Sequence, residues 1–175
     1  MDKSKLLVVV DMQNDFVDGA LGSHEAKYAV DMVCKKIRDF DGHVCFTMDT
    51  HYDDYLETVE GRHIPVPHCI NETWGWQFDY RIAAVRGPKA FTVYKDTFGS
   101  TDLVDLVRDL EIKDVQLVGL CTDICVISNA LLLKAHLPEI NISVDASCCA
   151  GTTPQMHQEA LNVMKRCCID IVNDT

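Results

Sequence analysis

Three side chains far apart in this chain could together do nucleophilic chemistry. The segment GLCTDICV, residues 119–126, passes from an apolar strand pattern into an apolar helix pattern and sets Cys125 near the first turn of that helix. Amides at a helix start are unpaired and the dipole there is positive, so a thiolate should be favoured and its pKa should fall. The same amides could hold the oxyanion of a tetrahedral intermediate. A thiol nucleophile also needs a group that takes its proton and later hands it to a leaving amine. Asp11, directly after the apolar run 6–10, suits that role. Lys95, at the end of another apolar run, would keep Asp11 ionised in a poorly solvated pocket and could polarise a substrate carbonyl. Each residue has an ordinary reading when taken alone, since helix cysteines are mostly packing, strand-end aspartates cap turns and lysines are solvated. Cys34, Cys148, Cys149, Cys167 and Cys168 are read in that ordinary way, as buried structural residues. The arrival of all three types at strand ends is what singles out Asp11, Lys95 and Cys125.

A second constellation follows the second apolar run. Residues 49–69, DTHYDDYLETVEGRHIPVPHC, offer Asp49-x-His51 and, beyond a turn bracketed by Pro65 and Pro67, His68. Two ligands two residues apart on an extended end, with a third returned by a loop, suit Zn²⁺, Mn²⁺ or Fe²⁺ with coordination positions left open. Glu60 or His63 could add a further ligand, and the residues alone leave that choice open.

The elements that must position these groups follow from hydrophobic periodicity. Short apolar, β-branched-rich runs at 6–10, 43–48, 90–94, 115–119, 140–144 and 169–172 predict six buried strands. Between them the spacing of Ala29, Val30, Val33, Ile37 and Phe40 predicts a helix over 26–40, and similar patterns predict helices over 103–110 and 125–133. Thr153 followed by Pro154 is a cap-then-proline start for a helix running to about Met164. Strands alternating with helices imply a three-layer α/β domain, with a mostly parallel sheet of about six strands and helices on both faces. Ligands in such sheets lie beyond the carboxyl ends of the strands, where Asp11, Asp49, His51, Lys95 and Cys121 to Cys125 fall.

Composition bounds the partners. With 175 residues, 47% hydrophobic and 25% charged, the chain is expected to form one domain over 1–175 with a single core and no linker or repeat. Nine cysteines, an odd number in a chain with core to spare, are expected to be reduced rather than a disulfide scaffold. The apolar run before Asp11 is too short for a signal segment or membrane span, which predicts a cytoplasmic protein. A formal charge of −11 would repel nucleic acid and anionic membranes, so neither is expected as a partner. A neutral or cationic small-molecule substrate fits better.

VVVDMQNDF at 8–16, DTH at 49–51, PVPHC through TWGW at 65–76, VYKDTF at 93–98 and GLCTDICV at 119–126 resemble the isochorismatase-like cysteine hydrolase superfamily, in family order over nearly the whole chain. The Asp49-x-His51…His68 loop resembles that of its nicotinamidase branch. By that resemblance Cys125 is the nucleophile, Asp11 the acid/base and Lys95 the third catalytic member. The metal ligands are Asp49, His51 and His68 with Glu60, and the Leu120–Cys121 peptide is cis. The resemblance further implies an oxyanion hole of the Cys121 and Cys125 amides, and substrate stacking on Phe16 with Trp74, Trp76 or Phe98 nearby. Relatives are often homo-oligomers. Glu72 stands where relatives commonly have glycine, and the metal loop is shorter than in many nicotinamidases. The expected activity is hydrolysis of nicotinamide to nicotinate and ammonia. The alternatives are another small amide or ureido substrate, hydrolysis of isochorismate, and a non-catalytic binding module.

Overall fold

The computed structural model describes residues 1–174. Six parallel strands, β1 Lys5–Val10, β2 His43–Asp49, β3 Phe91–Lys95, β4 Asp114–Leu120, β5 Asn141–Ala150 and β6 Asp170–Val172, form one sheet in the order β3-β2-β1-β4-β5-β6. The principal helices are α1 Asn14–Val17, α2 His24–Asp39, α3 Val59–His63, α4 Tyr80–Val85, α5 Thr101–Asp109, α6 Ile127–His136 and α7 Pro154–Arg166.

Central strand β1 shows why its sequence is apolar without alternation. Leu6, Val8 and Val10 face a core shared with α5, α6 and α7, whereas Leu7 and Val9 face a second core built with α2. Both faces of the strand are covered, so every position selects an apolar side chain. The helices begin where their caps allow. Ser23 Oγ accepts the Ala26 amide to open α2, and Thr153 Oγ1 accepts the Met156 amide to open α7 with Pro154 at its first position.

Because β1 lies between β2 and β4, the connections leave it in opposite directions, and a crevice opens beyond the carboxyl ends of β1 and β4. Val10 pairs in register with Gly119, whose φ is +114°. A Cβ at Gly119 would press on the Val10 carbonyl oxygen, so only glycine lets β4 approach β1 so closely there.

Two differences from the sequence reading have physical causes. β5 runs to Ala150, well past residue 144, because Asp145 interrupts the apolar run yet stays buried, its carboxylate paired with Lys36 at 2.6 Å and hydrogen-bonded by Ser147 and Asn173. Cys167 and Cys168 are exposed rather than buried, since α7 ends at Arg166 and the chain turns outward before β6; Cys34, Cys148 and Cys149 are buried. Among the described residues all nine cysteines are free thiols, and no helix is long and apolar enough to cross a membrane.

Candidate active site

The strand ends deliver their side chains to one crevice. Asp11 follows β1 with φ +47°, a left-handed conformation that aspartate tolerates better than most residues, and is fully buried. The Thr47 hydroxyl, from the neighbouring strand β2, donates to Asp11 Oδ1 at 2.6 Å, and its oxygen accepts the Asp11 amide at 3.2 Å. Lys95, the last residue of β3, extends under β2 and places Nζ 2.7 Å from Asp11 Oδ2, 3.0 Å from Asp49 Oδ1 and 3.6 Å from Cys125 Sγ. Asp11 Oδ2 receives no directed hydrogen bond beyond that ion pair, which leaves a lone pair for a thiol proton.

Cys125 stands in a π-helical turn, Thr122–Val126, that leads into α6. The turn begins directly after the cis Leu120–Cys121 peptide, the isomer that the family resemblance implies. Burial pushes the Cys125 thiol well above its ordinary pKa; the Lys95 ammonium opposes this and Asp11 adds to it. This direction is opposite to the lowering expected at a helix start, because Cys125 is only 4% exposed and desolvation disfavours its thiolate. Burial likewise raises the Asp11 carboxyl, against the lowering influence of Lys95. Desolvation therefore acts in the same direction on both groups, disfavouring the charged form of each.

Asp49, at the end of β2, links this set to a second one. Its Oδ1 meets Lys95, while its Oδ2 lies 2.9 Å from His51 Nε2 and 3.4 Å from His68 Nε2. Glu60, on α3, places Oε1 3.3 Å from His51 Nε2 and 3.7 Å from His68 Nε2. One donor atom from each of the four residues lies within 4.8 Å of every other. For a tetrahedral ion with bonds of about 2.1 Å, ligand atoms are about 3.4 Å apart, so the spacing fits one transition-metal ion. His68 Nδ1 is 2.8 Å from the Val66 carbonyl, which turns Nε2 toward the cluster as metal-binding histidines require. Tyr55 packs against both imidazoles, with ring centroids at 4.7 and 5.0 Å. The open choice between Glu60 and His63 falls to Glu60, since exposed His63 turns its Nδ1 to the Val59 carbonyl at 2.9 Å.

A small cavity of about 30 Å³ lies between the two sets, lined by Asp49, Glu60 and His68 of one and by Cys121 and Cys125 of the other. Phe16, Phe98, Leu21, Ile64 and Ile124 form its apolar walls. A larger surface cavity, about 550 Å³ between α2 and the start of α7, contains none of the candidate catalytic or metal-binding side chains. Trp74 and Trp76 are not brought to the site. Trp74 is 60% exposed, and Trp76 stacks on Tyr94 at 6.1 Å while its Nε1 donates to Thr50 Oγ1. Their motif packs the loop instead, with Asn14 Nδ2 donating to the Trp74 carbonyl and Gln13 Nε2 to that of Trp76.

Sequence reasoning missed three supporting residues. Thr47 was signalled only by a lone hydroxyl inside the run HVCFTMD. Gln13 brackets Asp49, its Nε2 donating to the Asp49 carbonyl and its Oε1 accepting the Asp49 amide, each at 2.8 Å. Asn129, fully buried on α6, donates to the carbonyls of Cys125 at 2.8 Å and Phe98 at 3.0 Å and accepts the Ser100 amide, which ties the Cys125 turn to the segment after Lys95.

The fold and this strand-end constellation define an α/β crevice that brings together a thiol, a carboxylate, an ammonium and a four-residue cluster that could hold a metal ion. The isochorismatase domain model matches residues 5–174, and the chain belongs to that family. It is 26% identical over 185 residues to a nicotinamidase/pyrazinamidase of Mycobacterium tuberculosis, covering 96% of this chain and 98% of that protein. Among solved structures it is similar to a pyrazinamidase of Pyrococcus horikoshii in complex with zinc, with TM-score 0.82, 27% identity, and 97% and 98% of the two chains covered. It is also similar to a pyrazinamidase/nicotinamidase of Streptococcus mutans, with TM-score 0.85, 27% identity, and 97% and 100% covered.

Proposed function

We propose that the protein is a cysteine-dependent amidohydrolase that converts nicotinamide, or a closely similar small aromatic amide, to the carboxylate and ammonia. One observation carries this reading: Cys125 lines a small apolar cavity with Lys95 Nζ 3.6 Å from its sulfur and paired with Asp11, and Asp49, Glu60 and His68 of the four-residue cluster line the same cavity. Relatives active on nicotinamide and pyrazinamide agree with it.

A planar ring would lie among Phe16, Phe98 and Ile124 with its carboxamide toward Cys125. Asp11 takes the thiol proton as sulfur attacks the carbonyl carbon. The carbonyl electron pair moves to oxygen, where the amides of Cys121 and Cys125 hold it. When the C–N bond breaks, Asp11 returns the proton to nitrogen and ammonia leaves. Asp11 then deprotonates a water that attacks the thioester; the C–S bond breaks, and carboxylate and free thiol result. Lys95 keeps Asp11 charged whenever its proton is away. Zinc, the ion in the Pyrococcus relative, suits the two imidazoles and two carboxylates, and when bound it supplies Lewis acidity toward a substrate lone pair. The cavity lining carries Asp49 and Glu60 and no lysine or arginine among the described residues, which disfavours an anionic substrate such as isochorismate.

The test is ammonia release by metal-replete protein, beginning with nicotinamide. Wild type should turn over and Cys125→Ala should not; substantial release by Cys125→Ala would remove the thiol from the mechanism. Activity confined to other amides or ureido compounds would reassign the substrate.

A further inference from the structure

The turn that carries the Cys125 amide and directly follows Cys121 is held from outside the cavity as well as from the sheet. α7 packs against it, and two adjacent turn residues are tied to α7 and to the segment just before it. Asp123 accepts the Thr152 amide at 2.8 Å and the Thr152 hydroxyl at 2.5 Å, on the exposed side where water can substitute. Thr122, which directly follows Cys121, is fully buried, and its Oγ1 lies 2.8 Å from His157 Nδ1. That is the hydroxyl's one side-chain partner among the described residues. A buried hydroxyl with a single partner is held in direction as well as place, because no water can replace the bond. The approach of α7 is close enough that a Cβ at Gly151 would lie 2.7 Å from the His157 amide nitrogen and 2.9 Å from Asp123 Oδ1.

We propose that His157 is a positioning residue for catalysis, acting through Thr122 to fix the peptide units that present the Cys121 and Cys125 amides; the inference rests on the amidohydrolase reading above. His157 does not line the reaction cavity and touches neither sulfur nor carboxylate, so its influence must pass through Thr122. Small rotations of a donor away from the developing oxyanion are costly to rate while leaving ground-state binding nearly unchanged. What the bond requires is a hydrogen-bonding atom at the Nδ1 position; asparagine can present Nδ2 as donor or Oδ1 as acceptor there, and alanine can present neither.

Three measurements on the metal-replete protein separate positioning from general structural support. The first is kcat and KM for the amide that the wild type hydrolyses. The second is binding of pyridine-3-carbaldehyde: the Cys125 sulfur adds to the carbonyl carbon, the carbon–oxygen π bond breaks, and the thiol proton ends on that oxygen. The third is alkylation of Cys125 by iodoacetamide, which displaces iodide from a saturated carbon and makes no oxyanion. For His157→Ala and Thr122→Val we expect kcat and aldehyde affinity to fall by about tenfold or more, with KM and the alkylation rate within about twofold of wild type. His157→Asn should recover most of the loss. Equal losses in adduct formation and alkylation, no loss at all, or an asparagine variant no better than alanine would overturn the proposal. A wild type that forms the adduct yet releases no ammonia from any amide would sink the amidohydrolase reading, while the aldehyde comparison would still decide the role of His157. A wild type that forms no adduct would sink the proposal itself.

Discussion

At the scale of single residues, the site is set by how desolvated charges are shared. Lys95 lies between two buried carboxylates, 2.7 Å from Asp11 and 3.0 Å from Asp49, so one ammonium serves both the acid/base group and the metal-binding cluster. Such a charge is tolerable in the interior only because both partners are present. Asp11 is balanced more finely: burial raises its pKa, Lys95 lowers it, and the Thr47 hydroxyl lowers it further. Thr47→Val keeps the shape and removes the donor. Its carboxyl pKa should then rise, and because Asp11 must be ionised to take the thiol proton, the acid limb of the kcat/KM profile should move to higher pH. Thr47→Ser should leave the limb near its wild-type place, and an unmoved limb in the valine variant would remove Thr47 from the tuning of Asp11.

At the scale of elements, the connections between strands hold most of the surprises. Thr153 behaved as its position predicts, and so did the period-3.6 pattern of α2. The loop after β2 is more structured than its polar sequence suggests: a 3₁₀ turn at Tyr55–Glu57 and the short helix α3 carry Glu60 to the cluster. Glu72, where relatives commonly have glycine, has φ +65°, so the chain keeps a glycine-type backbone with a side chain that disfavours it. Glu72→Gly should therefore stabilise the fold by about 0.5–1 kcal/mol, the relief of left-handed strain exceeding the added freedom of the unfolded chain. Urea denaturation would measure this, and a loss of stability would mean that the Glu72 side chain contributes contacts worth more than the strain.

At the scale of the whole molecule, the four candidate metal ligands come from the end of β2, the segment just after it, α3 and the loop before α4, so a bound ion would pin a long connection onto the sheet. Ligand binding to the folded state alone adds about 4 kcal/mol at a thousandfold excess over Kd. Chelation should lower Tm and zinc should restore it, with metal content followed in parallel; a Tm indifferent to chelator would argue against an ion at this cluster. The sequence by itself determined the order of the six strands and of helices α2, α5, α6 and α7, and the placement of Asp11, Asp49, Lys95 and Cys125 at or just beyond strand ends, because hydrophobic period and strand polarity are local properties of the chain. Only the tertiary structure decided the rest. It turned Trp74 and Trp76 away from the cavity, chose Glu60 over His63, exposed Cys167 and Cys168, and recruited Thr47, Gln13, Asn129 and His157. It also reversed the expected shift of the Cys125 thiol. Burial and its electrostatic cost depend on every segment that closes over a group, and no stretch of sequence around that group contains them.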